Sequence, residues 1–235
     1  MTIAFIVPCY NESKRMNFQG FKDWESSHEE VTFFFVNDGS TDDTLKNLKN
    51  YFQESQVIDL GQNYGKAEAV RMGMNIVHKE GKYNFIGFLD ADLATPLSQL
   101  PLFIEQTKQQ KKIIIGSRIL RLGGDIKRKW YRHYLGRIFA TAASTLLNLP
   151  VYDTQCGAKL FDSQTLKNTL DDPFISKWIF DVELFFRMKK QKSLTVGDYI
   201  EIPLTYWEDV GGTRLKVTDF LKAPFELLQL YRRYC

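Results

Sequence analysis

Residues 85–96 read FIGFLDADLATP. Five mostly apolar residues run into two aspartates separated by one alanine, and a Thr-Pro follows. The apolar run reads as a buried strand and the acids as its carboxyl end. Asp90 and Asp92 are two apart, so on an extended backbone both side chains point to one side. Like charges that close repel unless a cation stands near them. A hard divalent ion with oxygen ligands, Mg²⁺ or Mn²⁺, resolves the repulsion and binds through one or two carboxylates plus substrate phosphates. The stretch therefore predicts a metal-bound diphosphate at a strand end. The alternative is a turn and a helix cap. Thr95 and Pro96 are expected to supply the cap and the first helical residue, leaving the aspartates no such task.

Outward from this strand, apolar runs alternate with helical patterns. Strands are expected at Thr2–Val7, 31–36 (VTFFFV), 57–61, 83–90 and 111–118, with a helix from Tyr64 to Lys79 that stops at Gly81. Ser40 reads as a helix cap and Asp43 as its capping-box carboxylate. In the second half, helices are expected over 129–148, from Asp181 to Gln191 and over 217–233, with strands at 154–161 and 198–207. Alternation of this kind argues for an α/β fold with a mostly parallel central sheet covered by helices on both faces. We expect one domain over 1–235, with residues 1–118 as a nucleotide-sugar-binding half and 119–235 as an acceptor-binding half.

Composition narrows the class. The chain has 235 residues, 44% apolar or aromatic, with a net charge of +3, too weak to imply nucleic acid. Cys9, Cys156 and Cys235 make an odd set with no close pair, which indicates neither a disulfide framework nor a zinc site. The N-terminal MTIAFIVPCYNE has no basic region ahead of its apolar run and reads as a first strand. No run reaches the ~18 apolar residues of a membrane span. A cytoplasmic protein, peripheral at the membrane face, is expected.

In open sheets of this class, ligands bind outside the carboxyl ends of the strands. Here those ends read PCYNE, NDGS and DAD. Asp38 suits ribose hydroxyls or a base edge, or else an Asx turn in NDG. Lys66 opens a helix and meets either a phosphate or solvent. A phosphate loop ending in Gly-Lys-Ser/Thr and a Gly-x-Gly-x-x-Gly turn are both absent, against a kinase-like ATPase and a dinucleotide dehydrogenase.

VPCYNE, VNDGSTDDT, NYGKAEAVRMGM and DADLATP, in this order, resemble the family-2 glycosyltransferases of the GT-A fold. GSR, DTQCGAKLF and WIFDVELFFR resemble more narrowly the dolichyl-phosphate β-glucosyltransferase and polyprenyl-phosphate glycosyltransferase branch. The resemblance implies a nucleotide-sugar site of Pro8, Tyr10, Asn11, Glu12, Asp38, Lys66, Asp90, Ala91 and Asp92. It implies Mn²⁺ or Mg²⁺ at Asp90 and Asp92, with Asp92 the direct ligand. Gly116, Ser117 and Arg118 match the segment that meets the acceptor phosphate, with Arg132 a second ligand of the same kind. Gln155 and Cys156 flank the sugar pocket, and Asp181 and Glu183 form the acidic pair of the acceptor side. A UDP-sugar donor, most often UDP-glucose, and inversion at the anomeric carbon are implied too.

The acceptor decides the chemistry. A hydroxyl acceptor, on a glycan for example, needs a base, and Asp181 is the candidate. A polyprenyl phosphate is already anionic near pH 7 and needs a cationic cradle instead, from Arg118 and Arg132. The arginines between 118 and 137 suit the phosphate better. Asp181 also reads as a helix cap. KRKWYRHYLGR (127–137) and VTDFLKAPFELLQLYRRY (217–234) carry interleaved basic and aromatic residues, as a membrane-surface helix does, or as packed amphipathic helices do. WEDVGGTRLK (207–216) is expected to close as a lid through Arg214 and Lys216, against the reading of a plain loop. A sugar-nucleotide pyrophosphorylase lacks its basic signature loop here, and a nucleotide-sugar sensor would not need GSR and FDVEL.

Overall fold

The computed structural model describes residues 1–128, 130–190, 194–210 and 217–235, and of residues 217–221 the backbone alone. The elements are β1 (Ile3–Cys9), α1 (Phe18–Ser26), β2 (Val31–Asn37), α2 (Thr44–Tyr51), β3 (Val57–Asp59), α3 (Lys66–Glu80) and β4 (Phe85–Leu89). Then follow α4 (Leu100–Lys108), β5 (Ile113–Ser117), β6 (Asp125–Lys127), α5 (Trp130–Leu147) and β7 (Ala158–Asp162). The chain ends with α6 (Phe180–Lys189), β8 (Tyr199–Pro203), β9 (Tyr206–Glu208) and α7 (Val217–Tyr234). They form two compact units. Unit 1 holds Met1–Leu93 and Gly157–Pro173, and unit 2 holds Ala94–Cys156 and Phe174–Cys235.

In unit 1 the strand order is β3-β2-β1-β4-β7. β2 and β4 flank β1 in parallel, β3 joins β2 in parallel, and β7 runs antiparallel to β4. β1, β2 and β4 are buried along nearly their whole length, as continuous apolar strands covered on both faces should be. The helix α1 is held at its start by Asn17 Oδ1, which accepts the Gly20 N–H at 2.9 Å. Its Phe21 meets Phe33 and Phe35 edge-on, with ring centroids 5.0 and 5.5 Å away. The helical spacing of Phe18 and Phe21 after an Asn cap is the signal that would have found this element.

In unit 2, β5 pairs in parallel with β8, and β6 with β9. α4 packs on β5 and β8, while α5, α6 and α7 pack on one another.

Four local expectations need correction. The strand expected over 198–207 is two strands, β8 and β9. Pro203, opposite Ser117, is the last pair of β8 with β5, closed by the Leu204 N–H on Ser117 O (2.9 Å); the Thr205 N–H then leaves that ladder for Gln99 Oε1 (2.9 Å), and Tyr206 begins pairing with β6. The strand expected from Thr154 starts at Ala158, because Asp153 draws the Gln155 N–H into a turn at 3.1 Å. The expected capping box is absent. Ser40 Oγ instead accepts the Asn11 N–H (3.0 Å), and Asp43, at the cap position, makes no side-chain cap bond. Thr95 is no cap either: Pro96 precedes a 3₁₀ turn at Leu97–Gln99, and α4 begins after Gln99 without a side-chain cap.

Candidate active site

In unit 1 the loops after β1 and β2 are laced together. Asn11 takes a left-handed backbone (φ +54°), which its short polar side chain tolerates. Its Oδ1 accepts the Thr41 N–H at 2.8 Å, and the Glu12 N–H donates to Thr44 Oγ1 at 2.8 Å. Asp42 ties the same loops by accepting from Ser13 and Thr44. Burial would raise its carboxyl, but these hydrogen bonds outweigh it and bring the pKa down to about 2. Pro8 lies in β1 opposite Val36, and Tyr10 follows the strand half-buried.

Asp38 is buried, and both its oxygens face the loop before α3. Oδ1 accepts the Tyr64 N–H at 2.7 Å and Oδ2 the Gly65 N–H at 2.9 Å. Gly65 has φ +91° and ψ 156°, a conformation open only to glycine. So Asp38 and Gly65 together set where α3 starts, and its first residue is Lys66.

Lys66 Nζ lies 2.5 Å from Asp90 Oδ1. That oxygen is buried and accepts no well-aligned hydrogen bond, so the contact is ionic. Behind it the Asp90 N–H donates to Gly157 O at 3.1 Å, and a Cβ on Gly157 would stand 2.0 Å from Asp90 Oδ2. Asp92 is half-buried. Its charge reaches Arg15, whose pKa is raised first by its hydrogen bond to Glu12 and, against burial, by the charges of Glu12 and Asp92. Ala91 between them is buried. The next residue, Leu93, is in the left-handed region (φ +53°), and its N–H closes a turn on Asp90 O at 3.3 Å. Among the described residues no three acids, histidines or cysteines gather to hold a metal. Two carboxylates two residues apart, the Asp90 one already drawing a cation, fit a hard divalent ion that arrives with a diphosphate supplying its other ligands.

In unit 2, Ser117 ends β5 and Arg118 follows. Arg118 grips Asp153 through Nε (2.6 Å) and Nη2 (2.8 Å), and its backbone N–H donates to the same carboxylate. Burial would raise Asp153, but the charge and hydrogen bonds of Arg118, with Arg128 behind them, hold it well below the usual carboxylate range. Glu201 on β8 accepts the Tyr152 and Asp153 N–H groups at 2.8 and 2.6 Å and fixes that turn. Arg137 lies on the Tyr152 ring, 3.4 Å from its centroid, and donates to Tyr152 O. Arg132 pairs with Asp209 at 2.9 Å.

A cavity is lined by Arg118, Arg128, His133, Arg137, Thr154 and Gln155, among others. Arg128 is the residue that sequence reasoning missed. Burial, and then the charge of Arg118, pull its pKa down to about 10, so it stays charged at neutral pH in a place that disfavours charge. Thr154 Oγ1 and Ser117 Oγ are buried without a hydrogen-bond partner among the described residues. The acid-free run from Ile126 to Tyr152, with five Lys or Arg, was the sequence signal.

Asp181 and Glu183 both lie in the first turn of α6 and are buried. Asp181 is not a cap, since Ile179 holds that position. Glu183 is committed to the protein: Oε2 accepts the Ile175 and Ser176 N–H groups at 2.9 Å, and Oε1 accepts from Arg187 and from Tyr234 O–H. Cys156 is buried beside Gln155. Arg214 and Lys216 lie outside the described residues.

The glycosyl transferase family 2 profile matches residues 4–170. Dolichyl-phosphate beta-glucosyltransferase ALG5D of Trichomonas vaginalis is 29% identical over 97% of this chain and 72% of that protein. Dolichyl-phosphate beta-glucosyltransferase of Saccharomyces cerevisiae is 29% identical over 99% of this chain and 75% of its own length. The crystal structure of glucosyl-3-phosphoglycerate synthase from Mycobacterium tuberculosis with Mn²⁺ and UDP-glucose superposes with a TM-score of 0.67. It is 16% identical, over all of this chain and 79% of that one. That likeness shows the GT-A fold.

Proposed function

We propose that this chain, which belongs to glycosyl transferase family 2, moves a glucose from UDP-glucose to a polyprenyl phosphate with inversion at the anomeric carbon. The observation that carries this reading is the charged, half-buried Arg128 in a cavity shared with Arg118, Arg137 and the unpartnered Thr154 hydroxyl. A half-buried cation and a buried hydroxyl gain most from a multiply accepting anion, which a phosphate is and a sugar hydroxyl is not. The full-length likeness to dolichyl-phosphate beta-glucosyltransferases supports the same acceptor class. The solved neighbour with Mn²⁺ and UDP-glucose supports the donor.

In this reading the acceptor phosphate oxygen attacks the anomeric carbon, the bond to the UDP oxygen breaks, and UDP leaves. No proton has to be taken, because a phosphate with a second pKa near 6 is already anionic. Arg128, with Arg118 and Thr154, holds and desolvates that phosphate, and Arg132 supports the cradle. Asp153 fixes the Arg118 fork, and Glu201 fixes Asp153. Asp38 sets the loop that brings Lys66 to the diphosphate side, and Asn11, Glu12, Pro8 and Tyr10 frame the nucleoside. Asp92, with Asp90, would hold Mn²⁺ or Mg²⁺, whose charge offsets that developing on the leaving diphosphate.

No helix among the described residues is long and apolar enough to cross a membrane. α5 supports contact with a membrane surface. Its first turns point Trp130, Tyr134 and Ile138 outward, at 75%, 63% and 70% exposure, while Arg132, His133 and Arg137 turn inward.

The test is one assay. Purified protein is incubated with radiolabelled UDP-glucose, Mn²⁺ or Mg²⁺ and a polyprenyl phosphate, with Asp92→Ala as control. Metal-dependent label in the organic phase that vanishes in the variant is the expected result. Transfer of the label to a soluble glycan, with UDP release and no lipid label, would overturn the acceptor and make Asp181 the base to examine.

A further inference from the structure

We infer that Lys66 is a built-in counter-ion of the Asp90–Asp92 pair, which keeps a divalent ion from settling there before the diphosphate arrives. The inference rests on the donor reading above and adds an order of binding to it. Its basis is the 2.5 Å ion pair between Lys66 Nζ and Asp90 Oδ1. Neither end of that pair drifts into place. Asp38 and Gly65 fix the residue that begins α3. The Asp90 N–H is held by Gly157 O, and the carboxylate lies against the bare Cα of Gly157. Arg15 also feels the charge of Asp92, but it is paired with Glu12, so Lys66 is the cation that answers the two aspartates.

A doubly charged ion entering this site meets a lysine already bound to one of its two ligands, and no third acid among the described residues to compensate. A diphosphate changes both terms. It supplies oxygen ligands to the ion and an anion for the ammonium, so Lys66 can exchange Asp90 for a phosphate oxygen while the carboxylate is released to the ion. Metal and nucleotide then bind cooperatively, each strengthening the other by the same factor.

Mn²⁺ binding without nucleotide, counted from the electron paramagnetic resonance of the free ion at low ionic strength, decides the matter. Lys66→Met is expected to bind nucleotide-free Mn²⁺ roughly tenfold tighter than the native protein. In calorimetry it is expected to bind metal-free UDP more weakly. Lys66→Arg keeps the charge and is expected to behave as the native chain. Lys66 is half-exposed at a helix start, so the fold survives both changes. Unchanged or weaker Mn²⁺ binding by Lys66→Met overturns the inference, as does Lys66→Arg matching Lys66→Met. The metal titration contains no sugar donor or acceptor. A native protein that binds no UDP would overturn the donor reading, while the comparison of metal affinities still decides the role of Lys66.

Discussion

Gly157 has no side chain where Asp90 has its carboxylate: a Cβ would stand 2.0 Å from one oxygen and 2.8 Å from the other. The glycine after Cys156 is thus part of the acidic site, although 67 positions separate it from Asp90. Arg128 makes the complementary point for the cavity proposed to hold the acceptor. It is largely buried with Arg118 and Arg132 near it, offset in part by Asp153 and Asp209, and its lowered pKa records first the cost of burying its charge. A residue of that kind is stabilised by its ligand more than by its fold. Arg128→Ala should therefore raise the acceptor KM by roughly 10- to 100-fold, the worth of a charged hydrogen bond. UDP affinity should stay unchanged, because the proposed nucleotide-sugar residues lie in unit 1. Steady-state kinetics against a polyprenyl phosphate, with UDP calorimetry beside it, checks both halves. A shift in UDP affinity of similar size would contradict the assignment.

At the scale of the element, α5 is amphipathic in the reverse sense for a surface helix. His133 and Arg137 face the cavity, Arg132 turns to Asp209, and an aromatic-aliphatic stripe faces outward. The stripe lies within a run free of acidic residues, so it favours an anionic surface over a basic one. Replacing Trp130 and Ile138 together with Ser should lower sedimentation with anionic vesicles at least severalfold. It should leave turnover of a short-chain, water-soluble acceptor phosphate near the native value, since neither side chain lines the cavity. Vesicle binding unchanged by the double substitution would leave α5 without a lipid role. α6 shows a different use of charge. Its Glu183 is fully buried and bonds the 175–176 backbone, Arg187 and Tyr234 of α7. The acidic pair at 181 and 183 thus divides, with Glu183 holding helices together.

For the whole molecule, the largely buried Arg118–Asp153 pair links pH to stability. The folded-state pKa of Asp153 is depressed, so its contribution is present above the unfolded value of about 3.9 and is lost as pH falls toward the folded one. Asp153→Asn leaves the guanidinium without its carboxylate and should cost about 3 kcal/mol at pH 7. The gap between native and variant proteins should close progressively below about pH 4. Urea unfolding at a series of pH values measures it, and a gap that stays constant into acid would rule out an ionised pair. The chain leaves unit 1 just after Asp92-Leu93 and returns at Gly157. The unit boundaries fall on the two motifs that build the acidic site.

The sequence by itself determined the class of fold and the chemistry of the strand ends. A buried parallel strand needs a continuous apolar run, and such runs at 31–36 and 85–89 cannot be hidden by context. The acids and amides that follow β1, β2 and β4 are likewise local facts, as is their resemblance to one family. Tertiary structure alone decided how those groups are spent. A cap that looks local, Ser40, is drawn off by Asn11, and the expected box dissolves. The continuous alternation of 198–207 divides between two sheets because β5 ends at Ser117, opposite Pro203, and Gln99 and then β6 take the amides and strand that follow. Which arginine is tied and which is left to a ligand depends on where Asp153 and Asp209 fall, and those lie 35 and 77 residues from the arginines they bind. Local sequence fixes which groups a segment carries. Partnership between groups far apart in the chain is settled only when folding brings their charges and backbone amides within hydrogen-bonding distance.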